Sequence, residues 1–274
     1  MISVLNFAFN FWNDKLAEIW GLISLSPQDF KNGDIWRVIL GINEGLQAIA
    51  YGLLILFFAM VIFKSASNFR DFRRPEYALA IFIRFVATKL TITYGMDLMI
   101  MIFNICGGIT SKIGDTMGQI TARVTLPSEV ETAITSMGFF ASLPLWLITI
   151  IGVLLVVVLS LVMLLTVYGR FFRLYLCTAI SPLPLASFGG NVTSQTGRQF
   201  IKSYIGVCIE GAIIVVACVI FNAYMGSGTM GVVSSNTDGF TLVFAYLVEV
   251  IFSMLVLVGL VKGSDRIVKE MLAL

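Results

Sequence analysis

Four stretches of this chain, 45–63, 145–167, 203–225 and 240–261, run for about twenty residues with at most one charge, Glu210 in the third and Glu249 in the fourth. A helix rises 1.5 Å per residue, so crossing ~30 Å of hydrocarbon takes about 20 apolar residues. In that medium each backbone N–H and C=O must find its partner within the protein, and a helix does this inside one segment. A fifth run, 77–105, has the length but is interrupted by Arg84, Lys89 and Asp97. Pro75 stands at its start, where a missing N–H costs nothing. Charged residues make up 12% of the chain. Soluble domains carry about 25%, so a water-soluble globule could not cover its surface with this composition.

Several function classes drop out. There is no histidine, which removes imidazole acid–base chemistry and the common zinc sites. A net charge of +2 is too small for a nucleic-acid coat. Cys106, Cys177, Cys208 and Cys218 show no C-x-x-C spacing and read as small apolar packing residues. Gly226-Ser-Gly-Thr-Met-Gly231 matches G-x-G-x-x-G, but it follows a span rather than a strand and reads as a connector. Asn191-Val-Thr193 reads as a chance match to a glycosylation acceptor. The opening MISVLNFAFNFW lacks the basic start and small-residue cleavage site of a removable signal peptide. No catalytic residue, cofactor or metal site is expected, so the chain reads as a non-enzyme.

Lysine and arginine set the direction of the spans. Lys64, Arg70, Arg73 and Arg74 form one cluster, Arg170, Arg173, Arg198 and Lys202 a second, and Lys262, Arg266 and Lys269 a third. Placing all three in the cytoplasm puts the N-terminus outside and the C-terminus inside. That requires 171–189 to enter and leave on one side. Pro182 and Pro184 support this, because each removes a backbone hydrogen bond and together they break a helix. The alternative is a sixth, kinked span.

The expected fold is all-α: a polytopic membrane helix bundle of five spans plus one proline-broken re-entrant segment, with amphipathic interfacial helices on the outer face. Residues 1–44 form the outer-face N-terminal helix and its connector. In them Leu5, Phe9, Trp12, Leu16, Ile19 and Ile23 share a helical face, Asn32-Gly33 reads as a turn, and Asp34 can cap a long helix that runs on into the first span. Residues 45–261 form the bundle, with an outward amphipathic loop at 107–136 that carries Ile109, Ile113, Met117, Ile120 and Val124 on one face. Residues 262–274 form a cytoplasmic tail.

The ionisable residues within spans are the leading site candidates. Lys89 and Glu249 lie at similar depth, about 18–20 Å from the inner face, and Arg84 and Glu210 lie shallower. An intramembrane polar network of Arg84, Lys89, Glu210 and Glu249 follows, with Lys89 opposite Glu249 and Arg84 opposite Glu210. It reads either as a polar path or as ion pairs that fix helix packing. Arg170, Arg173, Arg198 and Lys202 form a cytoplasmic basic face.

Around the break the sequence runs Arg170-Phe-Phe-Arg173-Leu-Tyr175, then Ser181-Pro182-Leu-Pro184, then Gly197-Arg198-Gln-Phe-Ile-Lys202. This resembles the TrbL-type polytopic membrane subunit of type IV secretion and conjugation machines, over roughly 77–261 and most specifically over 170–202. The resemblance implies a channel or scaffold subunit in the bacterial cytoplasmic membrane. It would help to translocate relaxase-bound single-stranded DNA beside a transfer ATPase, a bitopic assembly subunit and a coupling ATPase. Five spans are too few to enclose such a passage, so several copies, a homo-oligomer in the lipid bilayer, or partner proteins are expected. Two alternatives stay open: a stand-alone ion-coupled secondary transporter using Lys89, Glu210 and Glu249, and an accessory anchor that holds partners through its outer helices.

Overall fold

A computed structural model describes residues 1–66, 75–117, 123–226 and 239–273. Arg70, Arg73 and Arg74, the glycine-rich stretch after Gly226 and Ile120 lie outside the described residues. Among the described residues the chain is helical and has no strand. The α-helices are α1 (Ile2–Ser24), α2 (Asp34–Ala66), α3 (Pro75–Thr93), α4 (Gly95–Met117), α5 (Ser128–Ser136), α6 (Phe139–Ile180), α7 (Pro182–Ala186), α8 (Ser194–Gly226) and α9 (Gly239–Leu272). Among the described residues five segments are long and apolar enough to cross a membrane: Phe30–Ser65, Gly95–Gly114, Ser142–Ile180, Ser194–Met225 and Gly239–Leu272. The protein is a multi-pass all-α membrane protein.

The expected span over 77–105 is divided. α3 ends at Thr93 and α4 starts at Gly95, with Tyr94 between them. A Cβ on Gly95 would stand 2.8 Å from Leu185 Cδ1, so glycine admits the leucine at this joint. The apolar segment long enough to cross is the α4 one, and Arg84 and Lys89 belong to α3.

The chain forms two compact units. The first comprises Met1–Ser24, Thr110–Gly169 and Gly211–Ser264, and the second Leu25–Ile109, Arg170–Glu210 and Asp265–Leu274. The expected outer element 1–44 is therefore split, α1 going to the first unit and its connector to the second.

In the first unit the apolar face of α1 is turned into protein. Leu5, Phe9, Trp12, Leu16, Ile19 and Ile23 are all buried. The Trp12 ring lies 6.2 Å from Phe221 of α8, and Phe9 meets Tyr246 of α9 edge-on at 6.4 Å. On the polar side, Asn13 forms a closed pair with the backbone of Val124: Nδ2 donates to its carbonyl at 3.0 Å, and its N–H donates to Oδ1 at 3.1 Å. Tyr246 Oη donates to the Thr125 carbonyl at 2.8 Å, tying the same extended strip to α9. After Pro127 the chain re-enters helix as α5.

In the second unit, a turn with Lys31, Asn32 and Gly33 at positive φ leads into α2. α2 packs on α3 and α7. Phe30 stacks on Phe171 with centroids 4.6 Å apart, and Tyr175 Oη donates to the Pro27 carbonyl at 2.8 Å. The connector thus packs against the 171–175 stretch of α6. Residues 171–180 are not a separate dipping segment. They are the last turns of the 42-residue α6. The chain breaks after Ile180, makes the short α7 and a 3-10 turn, Ser187–Gly189, and returns as α8. The end of α6 and the start of α8 form an antiparallel hairpin, in which Arg170 faces Val207 and Cys208.

Candidate functional site

The hairpin places charge where the helical phase dictates. On α6, Phe171, Leu174, Tyr175 and Thr178 face inward, and Arg170 shares that face. It is not part of an exposed basic surface. Its side chain is buried, Nε donating to the Val207 carbonyl at 3.1 Å and Nη2 to the Cys208 carbonyl at 3.2 Å. A helical carbonyl keeps a second lone pair after its i+4 bond, so two mid-helix carbonyls can accept the guanidinium without breaking α8.

Arg173 comes three residues later and is 38% exposed. Its Nη2 lies 2.8 Å from Glu210 Oε1 on α8, and its Nη1 lies 2.8 Å from Asp265 Oδ1 on α9. Asp265 Oδ2 also takes Lys269 Nζ at 2.8 Å. One planar guanidinium therefore joins three helices through its two forks, a geometry that a lysine ammonium cannot copy. Glu210 is buried, so it needs this partner; an uncompensated charge at such a site is strongly destabilising.

The expected network is rearranged accordingly. Glu210 pairs with Arg173, not with Arg84. Arg84 and Lys89 are exposed, because α3 turns Thr88 and Ile92 inward. Lys89 belongs to the second unit and the half-buried Glu249 to the first. Depth along a span gives one coordinate; the helical phase that selects a partner gives another, and depth does not contain it. Of the expected basic face, Arg198 and Lys202 are exposed and lie one turn apart on α8.

Both helix breaks are held from one face of α2. Asn43 Nδ2 donates to the carbonyl of Thr178 at 2.8 Å and to Ser181 Oγ at 3.1 Å, covering groups released where α6 stops before Pro182. Gln47 Nε2 donates to the carbonyls of Ile92 at 3.0 Å and Thr93 at 3.2 Å, where α3 stops. Tyr51 Oη lies 2.9 Å from Thr93 Oγ1. Asn43, Gln47 and Tyr51 follow one another at i, i+4, i+8, so they rise along one helix face. Sequence reasoning missed them. The available signal was this spacing of amide, amide and phenol within an otherwise apolar helix, ahead of two breaks. Pro182 is buried in the break; Pro184 is half-buried.

Behind this polar face is an apolar core containing Ala50, Leu54, Met99, Phe103, Leu174 and Leu185. Tyr204 crosses it to donate to the Met99 carbonyl at 3.1 Å. Cys106 and Cys208 bring their free thiols together in the same core. Among the described residues no group of three or more Cys, Asp or Glu could hold a metal ion. The arrangement can lock helices and balance charge.

Residues 12–182 match the family model described as TrbL/VirB6 plasmid conjugal transfer like protein. The match starts within α1 and reaches the break at Pro182, further toward the N-terminus than the resemblance over 77–261. It takes in Arg170 and Arg173, while Arg198 and Lys202 lie beyond it. No curated protein and no solved structure matches the chain.

Proposed function

The chain belongs to the TrbL/VirB6-like plasmid conjugal transfer family, and from that premise we propose that it is a channel or scaffold subunit of a conjugative type IV secretion system. In this reading it helps relaxase-bound single-stranded DNA across the bacterial cytoplasmic membrane. The N-terminus lies outside and the C-terminus inside. Several copies assemble with a transfer ATPase, a bitopic assembly subunit and a coupling ATPase.

The observation that carries the reading is the family match itself, which extends from within α1 across α2 to α6 and up to the arginine- and proline-bearing break. The exposed pair Arg198 and Lys202 supports a polyanionic substrate, since single-stranded DNA is tracked by positively charged grooves. The engaged buried charges support a scaffold over an ion-coupled transporter: Glu210 is paired with Arg173, and Arg170 is held by backbone carbonyls.

The test is a mating assay in which deletion of the gene is complemented by wild type or by an Arg198→Gln, Lys202→Gln double variant. Formaldehyde crosslinking of the transferred strand is followed alongside. The expected result is loss of transfer on deletion, restoration by wild type, and reduced strand crosslinking with the double variant at normal protein level. Full transfer without the gene would overturn the reading. Cysteine at Val192, labelled by a membrane-impermeant reagent only after lysis, checks the orientation.

A further inference from the structure

The second unit buries two cysteines against each other. Cys106 of α4 and Cys208 of α8 belong to one apolar core, where they are 5% and 0% exposed. Their thiols are hydrogen-bonded to one another. Tyr204, one turn before Cys208, donates to the Met99 carbonyl of α4 and pins the two helices beside the pair. Packing alone asks only for small apolar side chains at this contact. Two sulfurs in contact add a chemistry that alanine or valine would not supply.

The surroundings favour that chemistry. Arg170 Nη2 donates to the Cys208 carbonyl at 3.2 Å, and the guanidinium charge acts on both sulfurs. The thiolate is the nucleophilic form of cysteine, and a neighbouring cation favours it. A second thiol in contact can then resolve an oxidised first one. Burial restricts the oxidant to a small molecule. A cleft of about 10 Å³ lies in the same unit, close to the lower limit for one water-sized guest. Phe103 and Tyr204 line it, each one turn before one of the two cysteines. Hydrogen peroxide suits such an approach; a bulky disulfide oxidant does not.

We propose that Cys106 and Cys208 are an oxidation site, at which hydrogen peroxide converts the two thiols into a disulfide that ties α4 covalently to α8. In the first step one thiolate attacks a peroxide oxygen and the O–O bond breaks. Hydroxide leaves, takes up the thiol proton as water, and the sulfur is left as a sulfenic acid. In the second step the other sulfur attacks that sulfur and the S–O bond breaks. A second water leaves with the second thiol proton, so two thiols are oxidised and one peroxide is reduced to two waters. The bond would fasten α4 to α8 where Arg170 already joins α8 to α6. The site does not depend on the transfer role.

The experiment uses the full chain, purified in detergent, reduced with dithiothreitol, freed of it and treated with hydrogen peroxide. Remaining thiols are blocked with N-ethylmaleimide after denaturation, and the chain is read by intact mass and peptide mapping. Wild type is expected to lose the mass of two hydrogen atoms and to block two thiols instead of four. Mapping should give one linked peptide pair, Cys106 with Cys208, and dithiothreitol should release it. The oxidised chain should melt at a higher temperature than the reduced one. A Cys177→Ser, Cys218→Ser double variant should form the same link. Cys106→Ser and Cys208→Ser should each lose it. If either serine variant changes elution on size exclusion, the mapping of wild type and of the double variant decides. Intact thiols at both residues after peroxide overturn the proposal, as does sulfinic acid at either in place of the link. A link to Cys177 or Cys218, or one that forms only between chains, overturns it as well.

Discussion

The two units solve the same problem, holding apolar helices together, with different chemistry. In the first, α1 is held by large rings and one backbone-pairing asparagine: Trp12 on Phe221, Phe9 on Tyr246, Asn13 on Val124. In the second, helices stop inside the unit, after Thr93 and after Ile180, and polar side chains accept the consequences. Asn43 and Gln47 cover the freed carbonyls, Arg170 reaches across to α8, and Arg173 joins Glu210 and Asp265. Continuous helices satisfy their own backbone and need only shape from their neighbours. Broken helices leave carbonyls bare, and in an apolar setting each bare group costs far more than in water. The buried polar residues therefore follow the breaks.

The largest expected effect tests the apolar half of this contrast. Trp12→Ala removes a fully buried ring and should cost about 3–5 kcal/mol of stability. Trp12→Phe should cost far less, because Trp12 Nε1 has no hydrogen-bond partner to lose among the described residues. Thermal melting in detergent separates the two variants. Equal losses would mean that the indole N–H matters and that packing alone does not hold α1.

Arg173→Ala comes next, at about 3 kcal/mol, the lower end for breaking a buried pair, since this arginine is 38% exposed and part of its attraction is screened. Arg173→Lys should recover less than half of the loss, because an ammonium cannot serve Glu210 and Asp265 from two forks at once. Adding Glu210→Gln to Arg173→Ala should restore stability relative to Arg173→Ala alone. If it does not, burial of the Glu210 charge is not what Arg173 relieves.

Asn43→Ala should cost about 2 kcal/mol by leaving the Thr178 carbonyl and Ser181 with lost partners. Gln47→Ala should cost less, because its contacts are partly exposed. Hydrogen exchange read by mass spectrometry should localise the first change to the end of α6 and the second to the end of α3. Exchange that rises equally along whole helices would break the link between polar residues and helix ends.

What the sequence showed of this arrangement follows the same division. The helical class, the apolar segments, the turn at Asn32-Gly33 and the break before Pro182 were all readable, because each depends on local chemistry: run length, positive φ and a missing N–H. The break at Tyr94 was not, because a glycine within an apolar run looks like any small membrane residue until Leu185 is found beside it. The partner of Glu210 was not readable either. Arg84 and Arg173 both lie at plausible depths, and only the packed phases of α3 and α6 separate the exposed one from the paired one. The same holds for Arg170, which charge alone assigns to a surface.

The smallest expected effect sets the scale for the others. Arg266 and Glu270 form an i,i+4 pair at 2.8 Å, the same separation as Arg173 and Glu210, but their side chains are 85% and 66% exposed. In water the attraction is screened and two long side chains are held at an entropic cost, so such pairs are worth roughly 0.3–0.5 kcal/mol. Arg266→Ala should therefore leave the melting temperature within experimental scatter, and raised salt should not change that result. Arg173→Ala should keep most of its loss at high salt, because Glu210 is buried and only the water-facing part of the pair is screened. If the two arginine variants behave the same, then distance governs these pairs and burial does not, and the second unit has no special need for its polar residues.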